Sequence, residues 1–299
     1  MSLAIPAPAR SDNLRGILAM LAAMGSLIVN DCFVKLAAAQ LPAGEAIFLR
    51  GLFTTLLCAG MVAATTGPGA LREIGSRGVP ARAVAEVLAT FFYLNALFNM
   101  PIADATAILQ FTPLAITAGA ALFLGAPVGW RRWLATLLGL AGVLVIVRPF
   151  GEGFNPYSAL ALCAVVFVAA RDLLVRRVSP TVPALVVATA SAAAVTAASL
   201  GLAAFETWQV PSASALLLLA GAGVGLVGGY YWIIVAMRSG DIAVVAPFRY
   251  AIILYAVLAG FLVWGEMPDG ATWLGVAIVI AAGLYTFLRE HRLAKVVRA

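Results

Sequence analysis

Histidine is almost missing from this chain. Among 299 residues only His291 is one, and it sits in a basic tail. That excludes His-based triads, zinc centres and His proton relays. Cysteine is scarce as well. Cys32, Cys58 and Cys163 are odd in number, show no metal-ligand spacing and fall inside apolar runs, so they read as small core residues. Charged residues make up 11% of the chain, against about 25% in soluble proteins. Also missing are H-E-x-x-H, G-x-S-x-G and P-loop motifs, which argues against an enzyme and against direct drive by ATP. No cofactor and no metal is expected.

What fills the chain is apolar. Hydrophobic residues are 63% of it and the mean hydropathy is +1.03. So apolar a chain cannot cover itself with polar surface, and lipid must be its solvent. The net charge of +6 and pI near 9.6 do not indicate nucleic acid, because the basic residues form short clusters between apolar runs. Arg10 and Arg15 before an apolar stretch, with Ala37-Ala38-Ala39 behind it, imitate a signal peptide. The stretch is too long for one and carries Asp31 and Lys35, so it reads as a first membrane helix.

A helix needs about 20 residues to cross about 30 Å of hydrocarbon. Apolar runs and their Pro, Gly or polar breaks predict ten spans, over 15–38, 43–65, 80–100, 102–124, 130–149, 155–176, 183–204, 212–236, 241–263 and 270–289. This is an all-α membrane protein with no room for a soluble domain. Cytoplasmic loops are enriched in Lys and Arg. With both termini in the cytoplasm, the inner segments hold Arg10 and Arg15, Arg72, Arg77 and Arg82, Arg131 and Arg132, Arg171, Arg176 and Arg177, Arg238, and the tail from Arg289 to Arg298. Glu45, Glu152, Glu206, Glu266 and Asp269 fall outside.

The two halves resemble each other. Asp31, Lys35 and Pro42 are spaced as Asp172, Arg176 and Pro183, shifted by 141. Gly125 and Trp133 match Gly265 and Trp273, shifted by 140, and Asp104 and Phe111 match Asp241 and Phe248, shifted by 137. Residues 1–149 and 150–299 are thus expected as two five-helix repeats in one integrated membrane domain. An odd unit inverts on repetition, and inverted repeats are a transporter pattern with the substrate near the midplane.

Three stretches carry a resemblance to a known family: PAGEAIFLR from Pro42 to Arg50, ALFNMPIADATAILQFTPLAI, and the closing pair GAPVGWRRWLATLLGLAGVLVIV and GEMPDGATWLGVAIVIAAGLY. With ten helices in inverted halves, the chain resembles the EamA family of the drug/metabolite transporter superfamily, and within it the bacterial exporters of aromatic and other amino acids. The resemblance implies a multi-pass protein of the bacterial inner membrane, a functional monomer, exporting a small metabolite by alternating access. The family's glutamate before the last helix of a half is Glu266, with Ala126 at the first-half position. The span-two arginine is Arg50, with Ser191 at its counterpart. The cavity is therefore expected to be asymmetric.

Polar groups inside spans are costly and usually face a cavity or one another. Glu86 either holds an ammonium group or a coupling proton, or simply pairs with Arg82 one turn earlier. Arg249, after Pro247, either clamps a carboxylate in parallel hydrogen bonds or caps carbonyls that the proline frees. For Arg50 the resemblance favours structural gating over substrate contact. Asp31 with Lys35, and Asp172 with Arg176, are spaced to pair along a helix as two gates or as surface bridges of little value. Asn30, Tyr93, Asn99 and Gln110 are candidate cavity groups, as are Tyr230 and Trp232, where aromatic walls suit an aromatic side chain. Asn95 and Tyr231 accompany them. The tryptophans Trp130, Trp133, Trp208, Trp264 and Trp273 fit an interfacial belt. Pro113, Pro247, Gly225 and Gly228 are candidate hinge or packing positions. An exporter of amino acids calls for separated cationic and anionic cavity groups. The alternative, a proton-coupled exporter of lipophilic cations, calls for an embedded carboxylate with no cation beside it, for which Glu86 is the candidate.

Overall fold

The computed structural model describes residues 10–125, 129–148, 155–239 and 242–298. Ala126, Glu152, Asp241 and the expected junction of the halves at 149/150 lie outside them, as do the side chains of Arg10, Arg132, His291, Arg292, Lys295 and Arg298. Among the described residues every regular element is a helix: α1 (Arg10–Ala38), α2 (Ala43–Thr65), α3 (Val79–Asn99), α4 (Ile102–Leu109), α5 (Thr112–Leu124), α6 (Trp130–Val147), α7 (Tyr157–Leu174), α8 (Ala184–Leu200), α9 (Ala213–Ser239), α10 (Ile242–Val245), α11 (Ala251–Trp264) and α12 (Gly270–Arg298). Prolines set several of the starts. Pro42, Pro101, Pro156 and Pro183 each stand immediately before a helix, where the missing N–H costs nothing and the ring has already ended the preceding segment. Gly125 and Gly265, counterparts in the two halves, end α5 and α11 in the left-handed conformation with φ of 62° and 68°, which glycine adopts without Cβ strain.

Eight segments are long and apolar enough to cross a membrane, counting α4 with α5 as one and beginning the ninth expected span at Ala246. Two further apolar helices, over Trp133–Val147 and Ala184–Leu200, are shorter. The expected seventh span, 183–204, ends its α-helix at Leu200 and finishes as a 3₁₀ turn over Gly201–Ala204. Two expected spans are interrupted. The fourth breaks at Gln110 and Phe111, just before Pro113, and the ninth holds a 3₁₀ segment, Ala246–Tyr250, that contains Pro247. Each proline lacks the amide that would continue the ladder.

The most extensive helix contacts join the first half of the chain to the second: α1 with α9, α3 with α7, α2 with α8, and α6 with α12. In span numbers these are one with eight, three with six, two with seven and five with ten. Exchanging every span for the one five places along turns the first pair into the second and leaves the other two unchanged. Two lesser pairings follow the same rule: α2 with α9 exchanges into α3 with α8, and α1 with α11 into α5 with α7.

Small residues permit these approaches. A Cβ on Gly225 would lie 2.9 Å from the Ser26 carbonyl oxygen, and one on Gly221 would lie 2.8 Å from the Phe33 ring. Gly228, by contrast, has ordinary room, with Ser26 Oγ at 3.8 Å. The tight seam against α1 thus runs through Gly221, Gly225 and Gly229, one per turn. Gly142 and Gly275 meet each other's carbonyls where α6 crosses α12. Cys32 and Cys58 are buried as expected, whereas Cys163 is exposed on the outside of the bundle.

Candidate substrate site

Two polar clusters sit between the halves, at positions that the repeat makes counterparts. The first is built on α1, α2 and α3. Asn30 and Asp31 are 3% and 7% exposed, and Arg50 is 9% exposed. Tyr93 donates its hydroxyl to Asp31 Oδ2 at 2.6 Å, and Asn30 Nδ2 donates to Asp31 Oδ1 at 2.8 Å. Arg50 Nε donates to Asn30 Oδ1 at 3.0 Å. Asp31 is therefore held by two neutral donors, and Asn30 stands between it and the guanidinium. Buried carboxylates need such partners.

The second cluster, on α3, α7 and α8, is a network of charges. Arg171 Nη1 bonds Glu86 at 3.0 and 3.2 Å, and its Nε bonds Asp172 at 2.9 Å. Arg82 lies 3.7 Å from Glu86 and donates to Ser191 Oγ at 2.6 Å. Ser191, the counterpart of Arg50, thus receives a guanidinium from a neighbouring helix instead of carrying one. Tyr230, on α9, lies within electrostatic reach of Glu86, Arg171, Arg50 and Arg82. Together they hold three guanidiniums and three carboxylates. Phe92 and Phe167 stack beside this layer, with centroids 5.4 Å apart.

Several expected partners differ. Asp31 and Lys35 do not pair along α1. Lys35 Nζ instead bonds the Met100 carbonyl oxygen at 2.8 Å and Glu266 at 3.4 Å, with the Trp264 ring at 4.8 Å. Trp264 is thus a partner for a cation and more than an interfacial anchor. Glu266 also accepts from the Ile102 amide at 3.3 Å, an N-terminal helix site that favours a carboxylate. Asp172 pairs with Arg171 and not with Arg176, which is exposed and makes no ion pair among the described residues. Glu86 carries both Arg82, the partner the spacing predicted, and Arg171, which no local pattern indicated. Arg249 lies exposed on the 3₁₀ segment and has no ion pair among the described residues. Asn99 and Asn95 donate back to carbonyls one turn earlier, so one of the two amide donors of each is used within α3. Gln110 is buried at the α4–α5 break, and Trp232 is half-exposed beside Tyr231.

Beyond the site, at the end of the bundle where α1 finishes, polar clamps tie the halves together. Glu206 accepts from the Gly44 amide at 2.9 Å, and Glu45 accepts from the Gln209 amide at 3.0 Å. Arg148 bonds Asp269 and holds its carboxyl well below the usual carboxylate range. At the other end the corresponding contact is apolar: Val62, Val79, Val182, Val186 and Ala190 form a separate small core. Among the described residues no group of three or more His, Cys, Asp and Glu side chains is placed to hold a metal.

The EamA-like transporter family profile matches the chain twice, over residues 14–148 and 156–288. A riboflavin transporter of Vibrio cholerae is 36% identical over 184 residues, a match spanning 61% of this chain and about three fifths (61%) of that protein's length. A riboflavin transporter of Rhizobium johnstonii is 30% identical, covering 71% of this chain and 70% of the relative. An S-adenosylmethionine uptake transporter of Rickettsia prowazekii is 26% identical over 93% of this chain and 94% of its own, and the pseudopaline exporter of Pseudomonas aeruginosa is 28% identical over 89% and 94%. One solved crystal structure shares the fold with a TM-score of 0.62 at 24% identity, covering 92% of this chain and 98% of its own.

Proposed function

Because the chain belongs to the EamA-like transporter family, a family of small-molecule transporters and not of enzymes, we propose that it carries a neutral or zwitterionic metabolite between its two halves by alternating access. It is a multi-span membrane protein of the bacterial inner-membrane transporter kind. In the arrangement we favour, all ten apolar segments cross the bilayer, both ends are cytoplasmic, the two five-span halves are inverted, and one chain suffices for a pathway.

The observation that carries the substrate class is the balance of charge in the central layer. Arg50, Arg82 and Arg171 face Asp31, Glu86 and Asp172, and each carboxylate has its own donors. A lipophilic cation needs an embedded carboxylate free of cations, and Glu86 is bracketed by two guanidiniums. A solute with no net charge, presenting its own donors and acceptors, enters such a layer without leaving a charge uncompensated. Amino acids, aromatic and other neutral ones, meet that description. So does riboflavin, the solute named for two of the relatives. With no nucleotide-binding motif in the chain, flux follows the solute gradient or that of a coupled ion, and export down the solute gradient results where the solute accumulates inside.

The test is uptake of labelled phenylalanine, threonine, riboflavin, S-adenosylmethionine and tetraphenylphosphonium into proteoliposomes, with and without a pH gradient. Flux of one or more of phenylalanine, threonine and riboflavin without an imposed proton gradient is expected. Flux of tetraphenylphosphonium alone, and only with a pH gradient, overturns the reading.

A further inference from the structure

The geometry points to Arg50 as the group that docks a carboxylate of the transported solute, which narrows the substrate class from neutral or zwitterionic solutes to carboxylate-bearing zwitterions. This rests on the transport reading above and on four features of Arg50.

First, Arg50 is more than nine-tenths buried, yet no carboxylate lies within ion-pair distance of it among the described residues. The two other guanidiniums of the layer both touch Glu86. Second, its one hydrogen bond is made by Nε, to Asn30 Oδ1 at 3.0 Å. That bond fixes the plane of the guanidinium and leaves both terminal nitrogens uncommitted. Third, Asp31, Tyr230, Glu86 and Tyr93 all lie within electrostatic reach of it, so both clusters act on its charge. Fourth, Asp31, the nearest source of counter-charge, is already occupied by Tyr93 and Asn30.

Neither terminal nitrogen is among the fully buried polar atoms that lack a partner, so both keep an accessible edge where a solute carboxylate can complete the guanidinium. The paired Nη–H groups match the two oxygens of a carboxylate in geometry and charge, a fit that Lys does not reproduce. An imide edge, as in a flavin, sets its oxygens wider apart with an N–H between them, and does not match the fork. Tyr93, bonded to Asp31, stands beside the dock.

The first readout uses the intact protein in proteoliposomes and needs no transport. Phenylglyoxal, which modifies uncommitted guanidiniums, is applied, and the modified sites are located by mass spectrometry. Arg50 is expected to react faster than Arg171 and Arg82. Phenylalanine, threonine or S-adenosylmethionine is expected to protect it, while phenylalaninamide and riboflavin do not. Arg50 reacting more slowly than Arg171, or equal protection by phenylalanine and phenylalaninamide, overturns the assignment. So does a lack of protection by all three carboxylate solutes.

The second readout is Arg50→Lys and Arg50→Gln in the uptake assay. Each is expected to raise the KM for a carboxylate solute by about tenfold or more, the effect of losing one charge-assisted bidentate contact. A carboxylate solute carried with the same KM by wild type and Arg50→Gln would sink the carboxylate dock and leave the transport reading standing. Protection of Arg50 by a carboxylate in a protein that carries none of the panel would do the reverse.

Discussion

The neighbourhoods of Asp31 and Asp172 occupy equivalent places in a duplicated backbone and hold very different chemistry. Around Asp31 the partners are an amide and a phenol, and the only cation has an open fork. Around Asp172 every ionised group is paired to another, and the cluster is wetter, with Glu86 and Arg171 side chains 14% and 19% exposed and Asp172 37%. Two substitutions account for much of this: Asn30 is opposite Arg171, and Arg50 is opposite Ser191. Backbone symmetry supplies equal positions. It does not supply equal charges, so one half can keep a site ready for a ligand while the other is self-satisfied. The ends of the bundle repeat the lesson, since Lys35 pairs with Glu266, whose counterpart in the sequence of the first half is Ala126.

The comparison breaks most sharply at Glu86. Removing its charge leaves Arg82 and Arg171 facing each other in a mostly buried place, so Glu86→Gln is expected to cost about 3 kcal/mol. Stability in detergent, followed by chemical unfolding, checks this. The double variant with Arg171→Gln should recover a large part of the loss, and failure to recover would mean the cluster is not a coupled unit.

Next in size is the seam of α9. Gly225→Ala places a Cβ against the Ser26 carbonyl and the Asn30 amide, backbone atoms that cannot swing aside, and should cost roughly 1–3 kcal/mol. Gly228→Ala, with ordinary contacts, should stay within about 0.5 kcal/mol. Equal effects in a thermal melt would remove the tight approach to α1.

Lys35→Met should weaken one end of the bundle by about 1 kcal/mol and change the transport rate several-fold, while Arg176→Met should leave both unchanged. Paired initial-rate measurements decide this. The smallest effect concerns Asp269. Its depressed carboxyl contributes stability that is present above the ordinary carboxylate range and fades as the pH falls through its own lower value. Melting temperature should therefore be flat in this respect from pH 8 to about pH 5. Asp269→Asn should lower it slightly at pH 7 in low salt, less so in high salt, because the pair is half-exposed.

Much of the architecture was legible from periodicity and punctuation. Helix starts at 43, 102, 130 and 270 fall where the apolar runs begin, and the prolines at 113 and 247 mark both interrupted spans. The membership of the central layer was legible too, because Asn30, Asp31, Arg50, Glu86, Tyr93, Asp172 and Tyr230 are polar groups inside apolar runs. Their pairing was not. Lys35 bonds Glu266 across 231 positions and Arg171 reaches Glu86 across 85, whereas spacing rules see only one turn of one helix. The burial expected of two arginines comes out exchanged for the same reason. Arg249 looked central because it follows Pro247 in a long apolar run, but it is exposed on a 3₁₀ turn. Arg50 looked peripheral because it is near a span end, but α1 and α9 pack alongside α2 and bury it.

The way the helices pair also bears on how the protein is made. Each of the four largest helix contacts joins an early part of the chain to a late one. The α1 helix cannot meet α9 until more than two thirds of the polypeptide has left the ribosome. Until then the first five segments sit in lipid without most of their final neighbours, and the charges of Arg50, Asp31 and Glu86 have to be tolerated there or shielded by the insertion machinery. Assembly of this kind is late and non-local, the slow regime for folding. The two halves are therefore unsuited to exist singly. Synthesised as separate polypeptides in the same cell, they should be degraded one at a time and survive together.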